Sequence, residues 1–347
     1  MNKWRLKWHR IMHWEYWPME AVYYPMFLPW LYYAIKARSF FFFNAANPSI
    51  KNGGMAMESK KEIYDIIPAQ YIPKTLLVNQ ERDMTAVLKE VQAMDIGYPL
   101  FAKPDIGMKA FGVSKIKNEK ELLAYSTKNP NDFLIQELIP YPNEVGIFYV
   151  RHPNEEKGRI TGIVSKEFLS VIGNGTDTIV SLIKQQPRSY FQLEALQKKY
   201  GDLLQNVLRK DEKFVLVPYG SHTRGAKFID DSYKRNEKLL NTIHNICSQI
   251  PEFYYGRLDI LHVSLEELAE GKNFSIIEIN GAGSEPTHIY DPKHSLFFAW
   301  KEIIRHWHLL YEISIVNYKK GHRFLSFRDG VAMLRANSEL EAQLKTI

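Results

Sequence analysis

Near the end of this 347-residue chain, two short runs carry side chains that can do chemistry. Tyr255-Gly256-Arg257-Leu258-Asp259-Ile260-Leu261-His262-Val263 and Phe274-Ser275-Ile276-Ile277-Glu278-Ile279-Asn280-Gly281-Ala282-Gly283 both alternate apolar and polar residues. Period-two alternation marks strands with one buried face. It puts Arg257 and Asp259 on one face of the first strand, and Glu278 and Asn280 on one face of the second. Paired as a hairpin, the strands would bring these four side chains to one patch. A carboxylate among Ile, Leu and Val is costly unless it is paired or bound to a cation. Asp, Glu and Asn oxygens are hard ligands that suit Mg²⁺, and Mg²⁺ held by a few carboxylates usually bridges substrate phosphates.

Two other segments carry charge where a reason is needed. Lys103 ends the apolar run Pro99-Leu100-Phe101-Ala102-Lys103, and the loop Pro104-Asp105-Ile106-Gly107-Met108-Lys109-Ala110-Phe111-Gly112 follows. In a Walker-type loop the lysine follows the glycines, and here it precedes them. The segment is either a flexible loop closing over phosphates or a plain hairpin turn. His222-Thr223-Arg224-Gly225-Ala226-Lys227 is basic, and fits either an anion site for an acyl phosphate or substrate carboxylate, or surface salt bridging.

The length allows one large or two ordinary cores, since domains run roughly 100–200 residues. The single cysteine, Cys247, excludes an internal disulfide and fits a reducing compartment. No Cys/His cluster has zinc spacing. The net charge is +6, of which residues 1–40 supply +4: Lys3, Arg5, Lys7, Arg10, Lys36 and Arg38 stand against Glu15 and Glu20. The remainder is close to neutral, which argues against a broad nucleic-acid surface.

Residues 1–43 hold five of the seven tryptophans and the run Phe40-Phe41-Phe42-Phe43. Trp4, Trp8 and Ile11 fall at i, i+4, i+7, with Lys3, Lys7 and Arg10 on a neighbouring face, which predicts a short amphipathic helix. Such a segment either makes peripheral contact with a membrane surface or packs on the protein as an arm. The uncharged stretch 21–35 is interrupted by Pro25 and Pro29 and falls short of the ~20 residues of a spanning helix. It also lacks the features of a signal peptide. Asn47-Pro48-Ser49 and Gly53-Gly54 read as turns, in a linker or a substrate-facing loop.

From residue 58 the pattern is α/β. Helices are expected over 59–67, from an Asp83 cap to about Met94, and over 119–125, with strands at 75–78, 99–103, 113–116 and 133–136. A second lobe follows, with strands at 144–150, 160–168 and 214–217 and a turn at Gly173-Asn174-Gly175, while 179–208 is mostly helical and breaks at Pro187. A helix over 231–250 puts Leu239, Leu240, Ile243, Cys247 and Ile250 on one face, a long aromatic helix runs over about 294–316, and 331–346 is a final amphipathic segment.

Taken in order, these pieces resemble the ATP-grasp superfamily, in particular the D-alanine:D-alanine ligase-like carboxylate-amine ligases. The matching text is Ser59-Lys60 with Pro73, Tyr98-Pro99-Leu100-Phe101-Ala102-Lys103-Pro104, the glycine loop, Leu134-Ile135-Gln136-Glu137-Leu138-Ile139 with Glu144 after it, Arg257-Leu258-Asp259 and Glu278-Ile279-Asn280, spanning about 59–310. The resemblance implies an α+β ATP-grasp fold of two α/β lobes clasping ATP. Its parts would be an aromatic N-terminal arm (1–58) in place of a full pre-grasp domain, lobes at 59–136 and 137–316, and a helical tail at 317–347. It implies that Lys60 and Lys103 contact ATP phosphates and that 105–112, including Gly107 and Gly112, covers them. Gln136 with the backbone of Glu137 and Ile139 would read adenine, and Glu144 the ribose. Asp259, Glu278 and Asn280 would hold two Mg²⁺, for which Mn²⁺ is an alternative, and Arg257 would steady the transferred phosphoryl group. His222 and Arg224 would complete the catalytic set.

The implied activity is an ADP-forming, cytoplasmic carboxylate-amine or carboxylate-thiol ligase acting on small molecules through an acyl phosphate. An ATP-grasp kinase and a non-catalytic nucleotide-binding protein at the inner face of a membrane are the rival readings. Read singly, Lys60 suits a solvated helix, Gln136 a turn, Glu144 an exposed position, and Arg257–Glu278 a cross-strand ion pair. The chain departs from the D-alanine enzymes in two places. Residues 1–58 lack a Rossmann-like signature, and after Asn280 the text Gly281-Ala282-Gly283 replaces a Pro-Gly turn, with Ile289 where those enzymes place a substrate-binding serine.

Overall fold

The computed structural model describes residues 3–108 and 110–345. Lys109 of the glycine loop, the side chain of Lys3 and the last two residues of the C-terminal segment lie outside the described residues.

The chain opens with α1 (Lys3–Met12), α2 (Met19–Tyr23) and α3 (Phe27–Ala37), the last ending where Arg38 turns left-handed. After α4 (Lys60–Asp65), whose Ser59 cap accepts from the Glu62 N–H, comes the first lobe. Its strands are β1 (Thr75–Val78), β2 (Leu100–Pro104), β3 (Ser114–Ile116) and β4 (Phe133–Glu137), in the antiparallel order β1-β4-β2-β3. Helices α5 (Met84–Ala93) and α6 (Glu119–Lys128) pack on it, each begun by a side-chain cap, Asp83 and Asn118. Val87, Val91, Leu100, Leu122 and Ile135 close this core.

The second lobe holds β5 (Asn143–Val150), β6 (Arg159–Glu167), β7 (Ser170–Ile172), α7 (Ile179–Gln185), α8 (Pro187–Tyr190), α9 (Leu193–Tyr200), β8 (Lys213–Val215) and β9 (Lys227–Asp230). Then come α10 (Glu237–Ser248), β10 (Tyr255–His262), α11 (Leu265–Ala269) and β11 (Phe274–Asn280). The main sheet runs β11-β10-β5-β6-β9, and β7-β8 form a separate ribbon. Two long helices, α12 (Leu296–Lys319) and α13 (Phe327–Leu344), finish the described chain. The architecture is α+β with two α/β lobes, as the sequence predicts.

Boundaries differ from expectation where a cap decides. The helix expected from residue 231 starts at Glu237 because the Asn236 side chain accepts from the Leu239 N–H, and Ser232–Lys234 is a single 3-10 turn. The C-terminal helix begins at Phe327, earlier than expected, because Ser326 caps it. Cys247 is in the core with Leu239, Ile243 and Ile250.

The arm packs on the protein over most of its length. Tyr33, Ala37, Phe41, Phe42 and Phe43 are buried with Leu309, Leu310 and Ile313 of α12. The Trp300 indole N–H donates to the Val22 carbonyl at 2.9 Å. Asn47 is a clamp within what the sequence suggests is a turn: its Nδ2 donates to the carbonyls of Gly53 and Tyr255, and its Oδ1 accepts from the Tyr254 and Tyr255 N–H groups, at 2.8–3.0 Å.

Gly53 and Gly54 then lie against the exit of β11, where the Ala282 and Gly283 N–H groups donate to their carbonyls at 2.9 Å. This contact accounts for the glycines after Asn280. Gly54 has φ +74°, and a Cβ there would stand 2.7 Å from Gly281 Cα. Gly54→Ala is therefore expected to cost about 1–3 kcal/mol, read as a lowered urea midpoint, because both the backbone conformation and the neighbouring main chain forbid the methyl group.

Candidate functional site

The two lobes and the arm enclose a cleft of about 800 Å³, within the usual range for ligand sites. Its floor is the β10–β11 pair. The register sets Arg257 opposite Asn280 and Asp259 opposite Glu278, so the four polar side chains share one face as the alternation predicts. All four line the cleft, together with Lys60, Gly107, Lys103, Gln136, Glu137, Ile139, Glu144 and His222. Gly112 and Arg224 stand outside this lining. Gly112 gives its carbonyl to the Tyr125 hydroxyl at 2.8 Å, and the Arg224 guanidinium lies 5.5 Å from the Phe111 ring.

Asp259 is buried and held by two cations. Arg257 donates through Nε at 2.9 Å and Nη2 at 3.0 Å, and Lys166 Nζ stands 3.1 Å from Oδ1. Burial alone would raise its pKa, but the Arg257 and Lys166 charges outweigh this and hold the carboxyl below the usual range. Lys166 also reaches Glu144 at 2.7 Å, and the second Glu144 oxygen accepts from the Gly220 N–H at 2.8 Å. Arg257, Asp259, Lys166 and Glu144 thus form a buried ion chain linking β10, β6 and β5. The resemblance places Glu144 at a ribose and Asp259 at a metal, whereas here both carboxylates bind protein cations.

Lys103, on β2, is half-buried at the cleft wall. Its Nζ donates to Tyr64 Oη at 2.9 Å and Gln136 Oε1 at 3.0 Å. Gln136 spends its other end on Thr75 Oγ1 at 2.8 Å, and the Glu137 N–H donates to the Lys74 carbonyl at 3.0 Å. The expected adenine contacts of the Gln136 side chain and the Glu137 N–H are therefore engaged within the protein. Ile139 lines the cleft. Lys60 Nζ donates to the Gly107 carbonyl at 2.7 Å, tying the glycine loop to α4, and stands 3.9 Å from Glu278.

Burial pushes the Lys103 ammonium down to about 8, with Glu278 and Asp105 acting in the opposite direction. A phosphate in the cleft would favour its charged form. For a nucleoside triphosphate of the kind the resemblance implies, affinity is expected to fall as pH rises through about 8, approaching ~tenfold per pH unit for full coupling to one proton. Calorimetric titration with a non-hydrolysable ATP analogue at several pH values measures this, and Lys103→Met is expected to flatten the profile.

Glu278 and its neighbours are less satisfied. Glu278 is partly open, Asn280 Nδ2 is buried with no hydrogen-bond partner among the described residues, and the same holds for Glu58 Oε2. Burial raises the Glu58 pKa, with the Glu278 charge adding to the rise and Lys60 opposing it. Among the described residues, no three His, Cys, Asp or Glu side chains form a ready-made metal cluster. The Glu278 carboxylate and the Asn280 amide oxygen nevertheless suit a hard divalent cation that takes its remaining ligands from phosphate and water.

The opposite wall comes from the arm. Glu15 is buried and pairs with Arg188 at 2.6 Å and His222 at 3.3 Å. Burial would raise its pKa, but these two partners hold it below the ordinary value. Tyr23 and Tyr290 both donate to Glu285 Oε1, beside Arg257, whose Nη1 donates to the Glu285 carbonyl at 3.3 Å. His222 stacks on Tyr290.

Lys166, Glu58, Glu285 and Glu15 line the cleft, and Tyr23 braces it through Glu285; sequence reasoning missed all five. Lys166 alone had a local signal, as a lysine inside the apolar run 160–168.

No family model and no curated protein sequence matches the chain. Solved structures that resemble it include the D-Ala:D-Ser ligase VanG from Enterococcus faecalis, at 15% identity and TM-score 0.43, covering 75% of this chain and 62% of that one. A bifunctional glutathione synthetase from Pasteurella multocida aligns at 13% identity and TM-score 0.40, over 76% of this chain and 38% of that one. A D-alanine–D-alanine ligase from Bacillus anthracis, in a complex with ATP, aligns at 12% identity and TM-score 0.43, over 77% of this chain and 69% of that one. The chain thus spans less than two thirds of the length of the first two.

Proposed function

We propose that this protein is an ATP-grasp ligase that activates a carboxylate with Mg-ATP and passes it to an amine. The observation that carries the reading is that two lysines and a set of hard oxygen donors meet in one cleft. Lys60 and Lys103 would neutralise a triphosphate, and Glu278 with Asn280, beside Glu58, would offer hard donors next to them, Lys60 Nζ standing 3.9 Å from Glu278. Mg²⁺ at these donors would neutralise charge that spreads over the phosphoryl oxygens.

Arg257, fixed by Asp259, lines the cleft and would hold the transferred phosphoryl group. The glycine loop, tied to α4 by Lys60, would cover the nucleotide and exclude water. The carboxylate oxygen then attacks the γ-phosphorus as ADP leaves, giving an acyl phosphate. An amine adds to the acyl carbon, loses its proton and expels phosphate. Positioning and charge neutralisation suffice, with no covalent enzyme intermediate.

The test is a pooled screen of carboxylates and amines followed by ADP release and mass spectrometry of the product. ADP formed only when an acid and an amine are both present, with a condensed product, supports the ligase. A stable phosphorylated product without amine incorporation would make the protein a kinase.

A further inference from the structure

Two helices of the N-terminal arm turn apolar faces away from the protein. On α3, Phe27, Leu28, Tyr32 and Ile35 are exposed and fall on one helical face, while Tyr33, Ala34 and Ala37 face inward. Leu28 is 71% and Ile35 68% exposed, and Tyr24, just before the helix, is 84% exposed. On α1, Trp4 and Trp8 have ring centroids 5.9 Å apart and are exposed with Ile11 and Met12, while Leu6 is buried. Burying an arm against α12 does not explain why its outer face carries so much apolar surface.

The charges on the same segment identify what covers it. Between residues 4 and 38 the exposed charges are Arg5, Lys7, Arg10, Lys36 and Arg38, against Glu20 alone, because Glu15 is buried in its ion pairs. Lys36 Nζ stands 5.3 Å from the Tyr32 ring, at the edge of the apolar face. Apolar and aromatic side chains flanked by lysine and arginine suit the boundary between headgroups and acyl chains, and the positive charge complements an anionic surface. A protein partner's buried core would be expected to exclude the lysines. Among the described residues, no helix is long and apolar enough to cross a membrane.

The same segment forms the rim of the cleft. Trp17 and Met19, which follow α1 and begin α2, are exposed and also line the cleft. We infer that residues 4–38 dock this protein peripherally on an anionic lipid bilayer, which holds the cleft rim next to the headgroups. The inference goes beyond the ligase reading and stands or falls without it.

The experiment is co-sedimentation of the full chain with vesicles of phosphatidylcholine alone and of phosphatidylcholine with an equal part of phosphatidylglycerol. The protein is expected to sediment with the mixed vesicles, to bind neutral ones weakly, and to be partly released by salt. Leu28→Asp with Ile35→Asp is expected to lower the bound fraction about tenfold at unchanged melting temperature and ATP affinity. Trp4→Ser with Trp8→Ser, on the separate helix α1, gives an independent reading if the α3 pair disturbs folding.

A wild-type protein that stays in the supernatant with mixed vesicles would overturn the inference, as would variants that sediment like the wild type. Light scattering supplies the remaining outcome. A dimer that the α3 substitutions split, with no vesicle binding, would make this face a contact between copies of the chain and would also overturn it.

Discussion

Glu278→Gln is expected to lower ADP release about 10²–10³-fold in the presence of substrates while leaving the fold intact. Glu278 sits opposite Asp259 in the β10–β11 register, but its carboxylate is the one that opens to the cleft. Among the described residues its salt bridge is the 3.9 Å approach of Lys60, and its side chain is 36% exposed, so a neutral amide leaves no buried charge stranded. The loss therefore falls on charge neutralisation at the nucleotide and not on stability. The measurement is steady-state ADP release alongside a urea melt. If Glu278→Gln turns over ATP at the wild-type rate, the cation is held elsewhere and the proposed role of Glu278 is wrong. Raising the Mg²⁺ concentration is expected to rescue part of the loss, because a weakened site still fills by mass action.

Lys166→Met is expected to do the opposite, costing about 3–5 kcal/mol of stability. Methionine fills a similar volume, but among the described residues it leaves Glu144 and Asp259 buried with Arg257 and one main-chain N–H between them. The charge balance of the ion chain is lost, whereas replacing both members of a buried pair is often mild. The pH dependence separates this cause from simple repacking. The pKa of Asp259 is depressed in the folded protein, so the stability it contributes is present above its unfolded value and is lost as pH falls below ~4. The difference between wild type and Lys166→Met is expected to shrink over that acid window. A difference that stays constant from neutral pH to pH ~3 would assign the effect to packing instead.

The floor of the site was legible because its signal is local. Alternation in two short runs sufficed to put Arg257, Asp259, Glu278 and Asn280 on one face, and side-chain caps such as Asp83 announced helix starts. Lys166 was harder. Its place inside a strand could be read, but a lysine in an apolar run does not reveal that β6 lies two strands from β10 in the same sheet. Gln136 and Glu144 stand on the expected strands, yet partners brought by the fold, Lys103 for one and Lys166 for the other, engage their polar atoms. The role of the arm was least legible. Glu15, Tyr23 and Asn47 meet partners more than 170 residues away, and no periodicity encodes such a meeting. The Gly281-Ala282-Gly283 text, which departs from the D-alanine enzymes, is explained by the glycine pair that Asn47 helps to seat.

The Asn47 clamp also bears on how the chain reaches this structure. Asn47 and Tyr255 are separated by 208 residues, and the core that buries Phe41, Phe42 and Phe43 is completed by Tyr255, by Leu309, Leu310 and Ile313 of α12 and by Met333 of α13. During synthesis from the N-terminus, the most aromatic part of the protein therefore emerges long before the strand and helix that cover it. High contact order slows folding and lengthens the time during which apolar surface stays open to wrong partners. A nascent chain that ends before residue 296 has its arm complete but lacks both α12 and α13, the helices that cover its aromatic side. The aromatic segment that completes the cleft in the finished protein is, until then, its principal liability to aggregation.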